Sequence, residues 1–346
     1  MQSRRVFLKL LLGVGAIAIP WTAWPTKLKN VFEPLRESRR VKLYTQPSQE
    51  KPNEFFQVES LSRKAMDDIV ALTAPEMEGR RAGLAGEGRA SQYLAKELSM
   101  LGLKPMGDKG ESYVHAFTIP SVKEAVIGGR LTFTSGPMGM LRAPSMNLLG
   151  GLMGEKQDEV ILLSAHYDHL GSYRGEVYPG ANDNASGVGC ILDVIRRLIR
   201  EMATPKRTIV FAFWGAEEMG FIGSNAFVNS PSFPLKAIQA VINVDTIGNG
   251  MIGNFGLWSE GENNIAFRAV QKAASQAGAS AQLAPNQGHN SDQVSFAQVG
   301  IPAVTLMARE WLQNNHTPQD TAGNVKIEQV QLATEIVYQA VRSLAF

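Results

Sequence analysis

Four apolar runs, each too short for an ordinary helix, are each followed by a residue able to hold a metal. Residues 160–163 run on to His166, Asp168 and His169; residues 208–214 to Glu217 and Glu218; residues 240–244 to Asp245. Residues 302–307 lead to a loop carrying His316. Runs of this length bounded by glycine and polar turns read as strands. The 208–214 run has no polar alternation, so both its faces must be covered, as in a parallel sheet between helices. Helical spacing supplies the cover: Leu61, Met66, Ile69, Val70 and Leu72; Ala90, Tyr93, Leu94, Leu98 and Leu101; Val188, Ile191, Leu192, Ile195 and Leu198. The expected fold is α/β, a mixed, mostly parallel central sheet flanked by helices in a three-layer sandwich. Residues 113–119 and 130–134 are expected to form its antiparallel edge.

In open α/β sheets ligands bind beyond the carboxyl ends of the strands. His166, Asp183, Glu217, Glu218, Asp245 and His316 all fall just past such ends, Asp183 immediately before a helix. Asp168, two residues after His166, suits a carboxylate that fixes the tautomer of a ligating ring. Imidazole and carboxylate without thiolate favour zinc, with cobalt or manganese as alternatives. A two-metal site needs about five or six such groups, one of them bridging. Adjacent Glu217 and Glu218 divide naturally into a ligand and a neighbour that handles protons. Cys190 is the single cysteine, which excludes an intrachain disulfide, and its place on a helix marks it as a core residue.

Charge is unevenly placed along the 346 residues. Residues 1–45 hold nine Lys/Arg and two Asp/Glu, a net +7, which leaves the remainder at −5 against the total of +2. A mildly acidic body argues against nucleic acid as a partner. Ser-Arg-Arg-Val-Phe-Leu-Lys at 3–9, followed by an uncharged apolar stretch to residue 26, resembles a twin-arginine export signal. The run is shorter than the ~20 residues of a spanning helix, and no small-x-small cleavage site stands where one is expected. Residues 1–26 are therefore expected to act as a signal for the twin-arginine export machinery or as an uncleaved membrane anchor. The protein is expected outside the cytoplasm, periplasmic or extracellular, free or membrane-tethered. Residues 27–56, basic and then rich in Pro, Ser, Gln and Glu, read as a tether, and 57–346 as one catalytic domain. The glycine-rich segment 77–88, MEGRRAGLAGEG, lacks the Gly-Lys-Ser/Thr ending of a phosphate loop and reads as a plain loop.

Five motifs bring these residues together: SAHYDHLG (164–171), PGANDNASG (179–187), FWGAEEMGFIGS (213–224), INVDTIG (242–248) and HTPQDT (316–321). Through them the chain resembles the M28 family of dinuclear zinc peptidases, mostly aminopeptidases, over roughly residues 61–344. The resemblance implies a zinc exopeptidase-like fold, two Zn2+ ions and a peptide substrate with a free N-terminus. It implies that His166 and Asp245 hold one zinc, that Glu218 and His316 hold the second, and that Asp183 bridges them. Glu217 would be the general base, Asp168 the partner of His166, and the Asp183–Asn184 peptide cis. Two positions depart from many relatives: Asn315 stands where a tyrosine precedes the last histidine, and Ser291-Asp292-Gln293 replaces Ser-Asp-His. His169 and His289 are not needed by the ligand count and read as structural or loop residues. Met219, Phe221, Trp311 and Leu312 are candidate linings of a side-chain pocket, and the glycine-rich stretch 248–263 is expected to be a flexible loop nearby. Two alternatives share the fold: a single-zinc enzyme resembling glutaminyl cyclases, and a non-catalytic peptide-binding module.

Overall fold

The computed structural model describes residues 60–61, 63–136, 143–202, 204–285 and 289–346. The twin-arginine motif and the tether lie outside the described residues. The strands are β1 (Lys104–Pro105), β2 (Val114–Ile119), β3 (Val122–Ile127), β4 (Arg130–Ser135), β5 (Ala143–Leu152), β6 (Lys156–His166), β7 (Gly171–Tyr173), β8 (Glu176–Tyr178), β9 (Arg207–Trp214), β10 (Ile238–Val244), β11 (Asn254–Trp258), β12 (Ser280–Leu283) and β13 (Ala303–Ala308). The α-helices are α1 (Ala65–Leu72), α2 (Ala85–Met100), α3 (Ser186–Arg200), α4 (Ile222–Asn229), α5 (Ile265–Gln276), α6 (Gln293–Ala297) and α7 (Ile327–Ala345).

A nine-stranded sheet runs in the order β1-β5-β9-β6-β10-β13-β11-β12, with β2 also paired to β5. Its centre, β9-β6-β10-β13, is parallel, and β5 and β11 flank it antiparallel. The four apolar runs of the sequence are these four central strands, so their carboxyl ends share one edge.

Side chains alternate between two buried faces, as strand geometry dictates. Ile161, Leu163, Phe211, Phe213, Ile242 and Val304 pack with Ile69, Leu98, Ile191, Phe267 and Val337 from α1, α2, α3, α5 and α7. Leu162, Val210, Ala212, Trp214 and Val241 face the other way, onto Phe227 of α4 and Phe296 of α6. Each such side chain contributes roughly 1.5–3 kcal/mol by leaving water. Cys190 is buried inside α3, where burial pushes its thiol up to about 12 and makes it inert. Among the described residues no helix is long and apolar enough to cross a membrane.

Three expectations are corrected. Residues 130–134 do not extend the main sheet; β4 pairs with β3 in a separate two-stranded sheet. Gly128 and Gly129, both left-handed at φ 60° and 82°, close that hairpin locally and use up the partners of β4. The stretch 248–263 is not simply a loop, because β11 lies within it, held between β13 and β12. Segment 77–88 is not plain loop either: α2 already begins at Ala85, five residues before its first periodic position. Gly86 permits this, since a β-carbon there would lie 2.2 Å from the Met77 carbonyl oxygen.

Candidate metal centre

Each central strand delivers its side chain at the same edge. His166 is the last residue of β6, Asp245 follows β10, and Glu217 and Glu218 occupy the turn after β9. Asp183 sits on the turn into α3, and its peptide bond to Asn184 is cis. His316 comes from the loop after β13. His166 Nε2 lies 3.3 Å from Asp183 Oδ1 and 3.4 Å from Asp245 Oδ1. His316 Nε2 lies 3.2 Å from Asp183 Oδ2 and 3.0 Å from Glu218 Oε2. The two oxygens of Asp183 therefore face two different imidazoles.

These separations suit coordination. Zinc bonds of about 2.0–2.1 Å place tetrahedral ligand atoms about 3.3 Å apart, longer than a charged hydrogen bond of about 2.7–2.9 Å. That contrast sorts the histidines. His169 Nδ1 sits 2.6 Å from Glu218 Oε1, a hydrogen-bond length, and its Nε2 is buried without a partner. His169 thus braces Glu218, while His316 meets the other oxygen of that carboxylate at coordination spacing. Glu217 groups with His166 and Asp245, their ligand atoms all within 4.8 Å of one another.

A second layer holds these side chains. Asp320 accepts from the amides of Asn182 at 2.7 Å and Asp183 at 2.9 Å. Asn184 Oδ1 accepts from Gly187 N at 3.0 Å and Thr246 N at 3.2 Å, tying the Asp183 turn to the end of β10. His316 Nδ1 donates to the Leu131 carbonyl at 2.8 Å, which leaves Nε2 free for a metal. Asp168 Oδ1 lies 3.7 Å from His166 Nδ1, and its own carbonyl oxygen lies nearer, at 3.3 Å. Arg80, fully buried, donates to the carbonyls of Tyr167, Leu72, Pro179 and Gly180 at 2.7–2.8 Å, binding the end of β6 to the approach to Asp183.

The electrostatics ask for cations. Burial pushes Glu217 well above the usual carboxylate range, helped by Asp292, Glu218 and Asp245 against the pull of His166. Burial alone would also raise Asp183, but the imidazoles of His166 and His316 facing its two oxygens outweigh it and hold the carboxyl well below that range. Glu218 is likewise held down at about 2, where burial is outweighed chiefly by the charge of His316, with His169 assisting. Burial favours neutral His166 and His316, yet the surrounding carboxylates raise both well above their ordinary value. Asp292, buried with neither oxygen hydrogen-bonded, is pushed up to about 7. So many carboxylates in a dry site are stable only if neutralised. Zinc fits the donor set.

The model of Peptidase family M28 matches residues 147–341, more than half of the chain. The chain belongs to peptidase family M28. Aminopeptidase YwaD of Bacillus subtilis (strain 168) is 30% identical over 203 residues, covering 54% of this chain and 42% of the relative. Leupeptin-inactivating enzyme 1 of Streptomyces exfoliatus is 28% identical over 178 residues, covering 51% and 38%. The match thus spans less than half the length of these curated relatives. Among solved structures, the zinc aminopeptidase BSAP from Bacillus subtilis superposes with a TM-score of 0.65 at 20% identity, covering 81% of this chain and 94% of that one. The aminopeptidase from Aneurinibacillus sp. strain AM-1 gives 0.64 at 16% identity, covering 86% and 95%. These likenesses establish the α/β fold.

Within the M28 domain the structure brings together His166, Asp168, Asp183, Glu217, Glu218, Asp245 and His316. It adds three residues that the sequence reading passed over. His169, read as structural or loop, supports Glu218; Arg80, read as loop, ties two ligand-bearing segments; Arg130, read as edge strand, reaches the site through Asn315. The GRRAG motif was the one signal for Arg80, and it lies before the matched segment, as Arg130 does. His289 stacks edge-on against Trp311, 4.9 Å between ring centres, outside the ligand set.

Proposed function

We propose that the protein is an aminopeptidase that removes N-terminal residues from peptides at a pair of zinc ions, with Glu217 as general base. One observation carries the reading: Asp183 presents one oxygen to His166 and the other to His316, at 3.3 and 3.2 Å, as a bridge between two ions would. His166 and Asp245 would complete one ion's shell, and Glu218 and His316 the other's. When bound, such a pair lowers the pKa of a water between the ions and polarises a carbonyl oxygen.

The chain's own residues supply the rest. Glu217 takes a proton from the attacking water and holds it. It then passes that proton to the amide nitrogen as the carbon–nitrogen bond breaks. Asp168 holds the Glu217 amide through its carboxylate and faces His166 Nδ1 with its main-chain carbonyl. Residues 3–9 would direct the chain to the twin-arginine machinery, with residues 1–26 removed or kept as a membrane anchor.

The test is zinc content of the purified protein alongside hydrolysis of aminoacyl chromogenic amides with free or acetylated N-termini. Two zinc per chain and cleavage of free-amine substrates alone are expected. One zinc per chain with cyclisation of N-terminal glutamine would replace this reading with the cyclase one. No metal in a folded protein would leave a binding module.

A further inference from the structure

Asn315 stands immediately before His316, and both ends of its amide are already engaged. Its Nδ2 donates to Asp183 Oδ2, and its Oδ1 accepts from the guanidinium of Arg130. Its oxygen and one N–H are thus spent on holding Arg130 against Asp183, which leaves Asn315 a single N–H. The next donor outward is Arg130 itself.

Arg130 is built into place. It opens β4, whose next residue is latched to the last ligand in both directions: Leu131 N donates to the His316 carbonyl at 3.3 Å, and His316 Nδ1 donates to the Leu131 carbonyl at 2.8 Å. Its guanidinium lies over the Trp311 ring, 5.6 Å from the centre. Trp311 is in turn fixed edge-on against Trp258 and His289. Most telling, Arg130 Nε is buried and has no hydrogen-bond partner. An unmatched buried donor on a cation is costly unless an incoming acceptor completes it. The Nη2 of the same guanidinium stands one amide group, that of Asn315, away from the Asp183 carboxylate.

We propose that Arg130 donates to the carbonyl oxygen of the scissile bond and to the oxyanion that oxygen becomes, with Asn315 as the residue that positions it. As the water oxygen bonds to the carbonyl carbon, the π pair moves onto the carbonyl oxygen and Arg130 offsets the charge. When the pair returns, the carbon–nitrogen bond breaks and the leaving nitrogen takes the proton held by Glu217. This assignment rests on the aminopeptidase reading above.

The experiment compares full-length wild type with Arg130→Met and Arg130→Lys in zinc content, kcat and KM on free-amine amides, and binding of two ligands by calorimetry. The ligands are 1-amino-3-methylbutylphosphonic acid, which carries tetrahedral oxygens, and 3-methylbutylamine, which carries none. For Arg130→Met the expected result is a fall in kcat of about 100- to 1,000-fold with little change in KM. Phosphonate affinity should fall by about 100-fold while amine affinity and two zinc per chain persist; Arg130→Lys should recover part of the loss. Equal weakening of both ligands, or an unchanged kcat, overturns the assignment. A loss confined to substrates with an acidic N-terminal side chain also overturns it and makes Arg130 a specificity determinant. Wild-type inactivity on every amide sinks both readings, whereas wild-type activity that survives Arg130→Met sinks only this one.

Discussion

The main-chain amide of Glu217 donates to Asp168 Oδ1 at 3.0 Å, and the same oxygen lies 3.7 Å from Nδ1 of His166. One buried carboxylate thus anchors the turn that carries the proposed base and places its charge behind the His166 ring, whose Nδ1 faces the Asp168 carbonyl at 3.3 Å. Asp168→Asn keeps an acceptor for the Glu217 amide but removes the charge behind the imidazole. The variant should fold normally and lose about 10- to 100-fold in zinc affinity or activity. Chelator competition and kcat measured on the same preparation check this, and unchanged zinc affinity with unchanged kcat would reject the coupling.

Glu217 is buried and its pKa is raised, and the proposed ligand set does not include it. Glu217→Gln should lower kcat by about 100- to 10,000-fold and leave two zinc per chain. Gln stays neutral in that buried site without having to hold a proton, so at neutral pH the metal-free variant should melt higher than metal-free wild type. A normal kcat would remove Glu217 from the proton-handling role.

Removing the metal should expose an unusual pH dependence. The raised pKa values of His166 and His316 contribute stability that is present below their unfolded pKa and lost as pH rises through the folded one. Asp320, pushed up by burial to about 6, Asp292 to about 7, and Glu217 act in the same direction, because each prefers its proton in the folded state. Asp183 and Glu218, held down, act oppositely, with stability present above the usual carboxylate range and lost in strong acid. The chelator-stripped protein should therefore be most stable near pH 5 and lose roughly 2–4 °C in Tm per kcal/mol as pH rises to 8. Zinc should reverse the trend, since its ligands must be deprotonated. A melting series from pH 4 to 9 with and without chelator decides it; stripped protein that gains stability between pH 5 and 8 would contradict the assigned shifts.

What sequence could show follows from how local each cue is. His166, Asp245 and Glu217/Glu218 end apolar runs, so period and position reveal both the strand and the site. The parallel order of β9, β6, β10 and β13 follows from helices that must cross between them. Arg80 is different: its acceptors on Tyr167 and Gly180 are main-chain carbonyls 87 and 100 residues away, and a carbonyl leaves no mark on composition. Arg130 meets Asn315 across 185 residues, on a hairpin whose pattern resembled any edge strand. His169 looked dispensable by ligand count, and its contact with Glu218 at 2.6 Å spans 49 residues, so spacing could not reveal it.

The β3–β4 hairpin gives the last prediction. Leu131 is buried against Leu170 and Tyr178 in a small cluster separate from the main core, with Phe133 and Tyr173 packed beside it. Its carbonyl accepts from His316 Nδ1 and so keeps Nε2 turned toward Asp183 and Glu218. Leu131→Asp puts an unpaired charge into that cluster, which costs several kcal/mol if the hairpin stays closed. Opening the hairpin relieves this at the expense of a satellite cluster only, so the nine-stranded sheet should survive. His316 then loses the acceptor that fixes its ring, and the ion held by Glu218 and His316 should weaken about 10- to 100-fold, while the one at His166 and Asp245 remains. Zinc titration against a chelator should pass from two tight sites to one, with circular dichroism unchanged. Two tight sites in a folded Leu131→Asp variant would show that the hairpin does not latch His316.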